Sequence, residues 1–255
     1  MLSAIEAFLR RAPYLHAYEL GDLDPREAAH TTWITGDPVR AVVLLYRGLT
    51  TPTIVGLVEA SASRDAMAGL LAAHADRLPP RFYAHLTAGL IDALGPARRQ
   101  LLGHNWKMAL TAPAGEPPDA DEIVALTPRD ADDAVRFYAE SYPGSYFEPV
   151  NLERGPYLAI RDRHGIAAIA GVHVYSPIMR IASLGNIATR PDVRGHGHAR
   201  RVTAALCARL RDEVDVIGLN VRSDNAAAIA CYRAVGFAPF HEYDEWLIAR
   251  APPSA

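Results

Sequence analysis

Apolar positions recur along this chain with two periods, and the switches between them mark its elements. Leu2, Ile5, Phe8 and Leu9 fall at helical spacing and predict an amphipathic helix over 2–11. Runs rich in β-branched and apolar residues then predict strands at 30–35, 39–46 and 53–59, a helix at 64–75, a strand at 81–85, a helix at 86–94 and a strand at 105–110. A second series follows, with strand 123–126, helix 130–141, and strands 156–162, 166–175 and 181–189. It closes with helix 199–213, strand 215–221, helix 225–235 and strand 243–250. Between the series, residues 111–120 (TAPAGEPPDA) concentrate prolines, a glycine and acids, as a linker does. The pattern predicts an α/β (α+β) fold, a mixed central sheet flanked by helices, divided into domains 1–115 and 116–255.

Both series end in the same order: strand, helix, strand, helix, strand. This suggests a tandem of one α/β unit, the alternative being an unrelated N-terminal domain. A chain of 255 residues can bury one large core or two small ones. With 50% apolar and 22% charged residues it reads as globular. A net charge of −3 argues against nucleic acid as the main partner. Of 26 basic residues only Lys107 is lysine, a compositional bias toward arginine. The two cysteines, Cys207 and Cys231, lie in predicted helices and read as buried small residues, too sparse for a disulfide framework. The longest apolar run, AVVLLY at 41–46, is far short of the ~18–20 residues that span a bilayer. Glu6 interrupts the apolar N-terminal stretch and the arginines come after it, unlike a signal peptide, so the cytoplasm is the expected compartment.

Candidate chemistry concentrates at 184–199, LGNIATRPDVRGHGHA. An apolar strand runs into a turn with Gly195 and Gly197, and a helix opens at His198 and Ala199. Paired glycines serve positive φ or close backbone approach. The helix start offers unpaired N–H groups, and successive loop amides can nest around a pyrophosphate. Arg194 stands where a guanidinium could fork onto phosphate. Turn geometry alone is the alternative use of these glycines. Further on, Asp224 or Asn225 is a natural N-cap and Gly236 a helix end. Asn225, Ala228 and Tyr232 share one helix face, as a helix lying against a thin, extended ligand requires.

Together, Arg194-Gly195-His196-Gly197-His198-Ala199 and Asn225-x-x-Ala228-x-x-x-Tyr232-x-x-x-Gly236-Phe237 resemble the GNAT superfamily of acyl-CoA-dependent N-acyltransferases, over about half the chain. The resemblance implies a GNAT fold in the C-terminal half and, in the N-terminal half, a degenerate GNAT-like repeat shaping the acceptor side. That repeat reads Ala60-Ser61-Ala62-Ser63-Arg64-Asp65 where a phosphate loop would be, without paired glycines and with an acid, so it is expected to bind no cofactor. The implied cofactor is acetyl-CoA, CoA or a short acyl-CoA. Its binding residues would be Ile187, Ala188 and Thr189, by backbone to the pantetheine, then Arg194, Gly195, His196, Gly197, His198, Ala199 and Arg200. Asn220, Asn225, Ala228 and Tyr232 complete the set. The resemblance also gives Tyr232 the role of proton donor to the leaving thiolate. The alternative for that residue is a core tyrosine bonded to a carbonyl.

The attacking amine must arrive neutral. With a pKa near 10.4 only about one part in a thousand is neutral near pH 7.4, a deficit of roughly 4 kcal/mol. A general base or desolvation must offset it. Many superfamily members carry a glutamate on the strand before the loop, where this chain has Ser183, Leu184, Gly185 and Asn186. His173 and Glu148 are the candidate bases, each with a structural alternative; Glu140, Asp244 and Glu245 are weaker. His173 titrates in a useful range, and Glu148 sits among aromatics that suit a cationic amine. His196 and His198, one residue apart without a third partner, make no zinc site, so no metal is expected. The sequence thus points to an N-acetyltransferase for a small-molecule amine, with neither nucleic acid nor membrane as partner, as a monomer or homodimer. A non-catalytic acyl-CoA-binding regulatory module and a protein or peptide N-acetyltransferase are the alternatives.

Overall fold

The computed structural model describes residues 1–59, 61–112 and 122–250. Two compact units result, one of Met1–Lys107, Val221–Asp224 and Phe240–Ala255, the other of Met108–Asn220 and Asn225–Pro239. The boundary expected at 115/116 lies outside the described residues. The division is not a single cut, because the C-terminal strand returns to the first unit, where Asp244–Ala249 pair antiparallel with Arg81–Leu86.

In the first unit, α1 (Leu2–Leu9) and α2 (Ala17–Gly21) precede strands β1 (Thr31–Thr35), β2 (Val42–Tyr46) and β3 (Thr53–Gly56). Helix α3 (Ser61–His74) crosses to β4 (Arg81–Leu86), and β5 (Arg98–Leu110) follows. β1, β2 and β3 are antiparallel neighbours, whereas β3 and β4 are parallel over Thr53–Gly56. The helix expected at 86–94 is only a single tight turn, Ile91–Leu94, between Gly89 and Gly95, both at positive φ. The core packs Val43, Leu45, Ile54, Met67, Leu71, Phe82 and Ile248.

The second unit repeats the plan. β6 (Ile123–Ala125), α4 (Ala131–Ser141) and a short α5 (Asn151–Arg154) lead to β7 (Leu158–Asp162), β8 (Gly165–Ser176) and β9 (Ile181–Thr189). Helix α6 (His198–Leu210), β10 (Val216–Arg222), α7 (Ala226–Val235) and β11 (Phe237–Ala249) complete the chain. β7, β8 and β9 are antiparallel, and β9 and β10 are parallel. β3–α3–β4 and β9–α6–β10 are therefore the same strand–helix–parallel strand element. β11 starts directly after Gly236, six residues before the expected 243, because that glycine, at φ +115, ends α7 and turns the chain at once into strand.

A charged cluster lies inside the first unit. Glu19 and Lys107 are buried, and His16 Nδ1 is 2.9 Å from the Glu19 carboxylate. The Lys107 ammonium lies 5.0 Å from the Tyr18 ring centre and 5.9 Å from that of Tyr243. Burial pushes Lys107 down to about 8, against the pull of Glu19. Burial opposes ionisation of Glu19, yet His16 and Lys107 together hold its carboxyl below the ordinary value. Removing one member of a buried pair leaves an uncompensated charge, so Lys107→Met should lower stability by about 3–5 kcal/mol in urea denaturation at neutral pH. The sign with pH also follows. Between about 8 and the ordinary 10.5 the unfolded chain holds a lysine proton that the folded chain has released. Parent stability, measured relative to Lys107→Met, should therefore rise across that window.

Candidate active site

The site begins where two strands part. β9 and β10 pair from Ile181/Val216 to Leu184/Leu219, where the ladder ends. β9 continues to Thr189 and stays paired along its other edge with β8, through Ile169/Ala188 and Ala168/Thr189. From Gly185 onward the β10-facing edge of β9 therefore carries backbone groups that no strand takes. Ile187, Ala188 and Thr189 lie on this open stretch, and Asn220, half-buried, sits where β10 leaves the ladder. An extended chain with amide groups fits such an edge as an added strand would.

The first unit has the same parting with a different outcome. Beyond Gly56/Leu86 the Thr87 hydroxyl accepts from Val58 N–H at 3.0 Å and donates to Val58 C=O at 3.4 Å. A side chain thereby closes the edge that stays open in the second unit. Asp65, expected in the loop, is inside α3 instead. Ala60 and the side chains of Ser61 and Ala62 lie outside the described residues.

After β9 the chain makes a tight turn at Pro191–Val193, Arg194 is extended, and Gly195 and Gly197 take φ +82 and +79. A Cβ at either glycine would meet nothing within 4 Å, so conformation and not crowding requires them. Gly197 is the N-cap of α6 and brings no side chain to cap it. The first amide to find a partner is that of Arg201, which donates to the Gly197 carbonyl at 3.0 Å. The amides of His198, Ala199 and Arg200 have no carbonyl a turn behind them and point to the loop, where an anion is stabilised.

The remaining loop side chains take roles of their own. Arg194, expected on phosphate, donates Nε to Thr189 C=O at 3.2 Å and Nη2 to Ser141 C=O at 3.1 Å, tying the end of β9 to the end of α4. Its fork is spent on carbonyls that the turn would otherwise leave bare. His196 Nδ1 is 3.2 Å from Val193 C=O, and its ring stacks on that of His198. Among the described residues no three metal-ligating side chains gather. Thr189 Oγ1, His198 Nδ1 and Ser141 Oγ are buried without a protein partner. Three orphaned polar atoms from β9, α6 and α4, with bare helix amides, suit a ligand rich in acceptors and donors, as the phosphate and pantetheine parts of CoA are.

On α7, Asn225 is the N-cap, accepting from Ala228 N–H at 3.1 Å, so its side-chain oxygen serves the helix. Ala228 is half-buried. Tyr232, two turns on, is 8% exposed and packs edge-to-face on Phe237. Burial pushes its phenol up, with Cys231 and Tyr142 adding to the effect. Among the described residues its hydroxyl has no protein hydrogen bond, unlike a core tyrosine anchored on a carbonyl. Cys207 is buried as expected, whereas Cys231 is only half-buried.

His173 is not in regular alternation. Val172 pairs Leu184 and Val174 pairs Ser183, so His173 is the extra residue of a bulge. It is exposed, and its ring covers Gly185, where a Cβ would meet it at 2.2 Å. This places the imidazole beside the first residue past the parting of β9 and β10. Glu148 is exposed in the loop after α4, its amide bound by Asn151 Oδ1 at 2.6 Å. Sequence reasoning missed Tyr138, Tyr157 and Asn186, which form a buried hydrogen-bonded group at this point. The signal available was an asparagine in the middle of a strand, where asparagine is disfavoured.

Residues 121–237 match the model of the acetyltransferase (GNAT) family, which marks this stretch as a GNAT domain. The chain's mixed α/β fold is that of GNAT structures over nearly its whole length. A GNAT-family protein from Novosphingobium aromaticivorans superposes with a TM-score of 0.67 at 19% identity, covering 94% of this chain and 99% of the other. A GCN5-related N-acetyltransferase from Kribbella flavida gives 0.58 at 16% identity, covering 93% and 96%. A tandem GNAT protein from the clavulanic acid biosynthesis pathway gives 0.54 at 19%, covering 94% and 89%. No curated protein matches the chain in sequence.

The open edge in one unit and the Thr87-closed edge in the other predict one CoA site per chain by calorimetry. At about 100 times its dissociation constant CoA should stabilise the fold by roughly 2.7 kcal/mol, seen as a thermal shift. Gly197→Asp, which adds strain at φ +79 and a negative charge, should abolish that shift.

Proposed function

We propose that this protein transfers an acetyl or other short acyl group from its CoA thioester to the amine of a small molecule. The observation that carries the reading is the parting of β9 and β10 beside bare α6 amides, with the Tyr232 hydroxyl uncommitted on α7. The match of residues 121–237 to the GNAT family model supports acyl transfer as the class. Acetyl-CoA would supply the activated acyl group. The α6 amides of His198, Ala199 and Arg200 would hold its phosphates, with Gly195 and Gly197 shaping the loop and His196 packed against it. Those backbone groups of Ile187, Ala188 and Thr189 that face away from β8 and that Arg194 does not take would bond the pantetheine, with Asn220, Ala228 and the head of α7 at Asn225 opposite. Tyr232, kept protonated by burial, donates to the leaving sulfur.

His173 is the better placed base. It sits over Gly185, at the start of the open edge, and an imidazole can accept a proton from an ammonium near neutral pH. Glu148 is the second candidate, presented on a loop anchored next to the same strand. No described helix is long and apolar enough to cross a membrane, and the acidic net charge suits a small cationic acceptor better than nucleic acid. The reading places the protein in the cytoplasm, as a monomer or homodimer.

The test is an acceptor screen with thiol detection over amino acids, polyamines, aminoglycosides and peptides. Release of CoA with a small amine supports the proposal. Release with peptides only makes it a peptide acetyltransferase, and CoA binding without turnover makes it a binding module. With a working acceptor, Tyr232→Phe keeps the ring and removes the hydroxyl. Turnover should fall at least about tenfold with the CoA dissociation constant nearly unchanged. Because burial raises the phenol's pKa, the parent's rate should show no loss through pH 10 from this group.

A further inference from the structure

A second irregularity lies inside the site, on β9 itself. Ile169 pairs Ala188 and Gly171 pairs Gly185, so Asn186 and Ile187 together oppose Ala170 alone. Asn186 takes φ +52, a left-handed conformation that asparagine tolerates better than most residues and a strand does not otherwise require. The bulge turns the backbone of the open edge just where it leaves the ladder.

Two tyrosines clamp this one residue. Asn186 Nδ2 donates to Tyr157 Oη at 2.9 Å, and Tyr157 Oη donates to Val172 C=O at 3.0 Å. Tyr138 Oη donates to the Asn186 carbonyl at 2.5 Å. All three are buried, with Asn186 4% exposed, Tyr138 3% and Tyr157 1%. Phe147 stacks on Tyr138 at 4.6 Å and meets Tyr157 edge-on at 5.7 Å, so the loop bearing Glu148 is seated on the same clamp. Gly171 admits the Tyr157 ring, since a Cβ there would lie 2.0 Å from it. Its cross-strand partner Gly185 admits His173. Directly opposite residues share a sheet face, so Tyr157 and His173 stand together beside the bulge.

A buried residue held through both its side-chain amide nitrogen and its backbone carbonyl specifies one backbone geometry. Nothing in packing alone asks for it, because an apolar residue in regular strand conformation would complete the β8–β9 ladder. We infer that Asn186, held by Tyr157 and Tyr138, is a positioning residue that fixes the bulge so that the Ile187 N–H faces the thioester carbonyl of bound acyl-CoA. The inference rests on the acyl-CoA reading above. Asn186 touches no reacting atom in this scheme; it acts through the backbone it holds.

The probe is acetyl-CoA labelled with ¹³C at the thioester carbonyl, bound to the full chain and read by infrared difference spectroscopy. A hydrogen bond from Ile187 lowers the carbonyl stretch below its value in buffer. Asn186→Gly keeps the left-handed φ at little cost and removes the link to Tyr157, and Tyr157→Phe removes the same link from the other side. Both should return the stretch toward the buffer value while the CoA dissociation constant stays within about twofold of the parent's, a selective loss of orientation at the bound carbonyl. Tyr138→Phe, which spares the Asn186–Tyr157 link, should give a smaller return and serves if Tyr157→Phe does not fold. Tyr175→Phe deletes a hydroxyl on β8 that is bonded to Glu213 and should leave the stretch where it is, which separates positioning from general loosening. Folded Asn186→Gly or Tyr157→Phe variants with the parent's stretch overturn the inference, as does a parent that binds acetyl-CoA without any shift. A parent that binds no acetyl-CoA overturns both this inference and the proposed function.

Discussion

Everything at this site depends on the backbone hydrogen bonds that β9 and β10 do not make with each other. Peptide groups must be paired or solvated, and a parallel ladder normally runs as far as its strands do. Here it stops at Leu184/Leu219 while β9 goes on. Along its other edge β9 is held by β8 to Thr189, so the free edge is rigid without being satisfied. A rigid, unsatisfied edge is preorganised for an extended amide-bearing ligand, since the ordering of the protein side is done during folding. The helix that follows adds the complement, because the amides at its start cannot be paired within the helix.

The first unit shows the same topology with its edge settled in another way. Its β3–β4 ladder also ends early, at Gly56/Leu86. There Thr87 supplies one hydroxyl that both accepts from and donates to Val58. One side chain thus settles the backbone debt that the second unit leaves open. Topology and edge separate in this comparison: the strand–helix–parallel strand order is shared, whereas the closing of the edge differs.

Much of this was legible in the sequence, for local reasons. The glycines at 195 and 197 and the cap at Asn225 are residues whose conformational demands do not depend on distant parts of the chain, and each was readable. The repeated order of elements was readable because periodicity records which face is buried. Arg194 was not, since its partners, Thr189 and Ser141 carbonyls, come together only through the turn and the end of α4. The clamp on Asn186 was hidden for a stronger reason. It joins residues from α4, β9 and the position just before β7, and its two tyrosines read singly as ordinary buried tyrosines. The bulge that carries His173 was hidden too, because Val172, His173 and Val174 alternate as a regular strand would.

The charged cluster of the first unit shows a similar constraint without a ligand. In a chain with one lysine among 26 basic residues, the buried basic position is the one that is not arginine. A guanidinium is broad, planar and effectively always charged, whereas an ammonium is compact and can shift its pKa when dehydrated. Between the Tyr18 and Tyr243 rings, with Glu19 as the countercharge, the compact cation is the form that burial tolerates. The lowered pKa of Lys107 measures how far that tolerance is strained. His16 shares the load by pairing with the same carboxylate. The unit can keep a charge in its interior because the countercharge, the rings and the flexible stem are all supplied from within it.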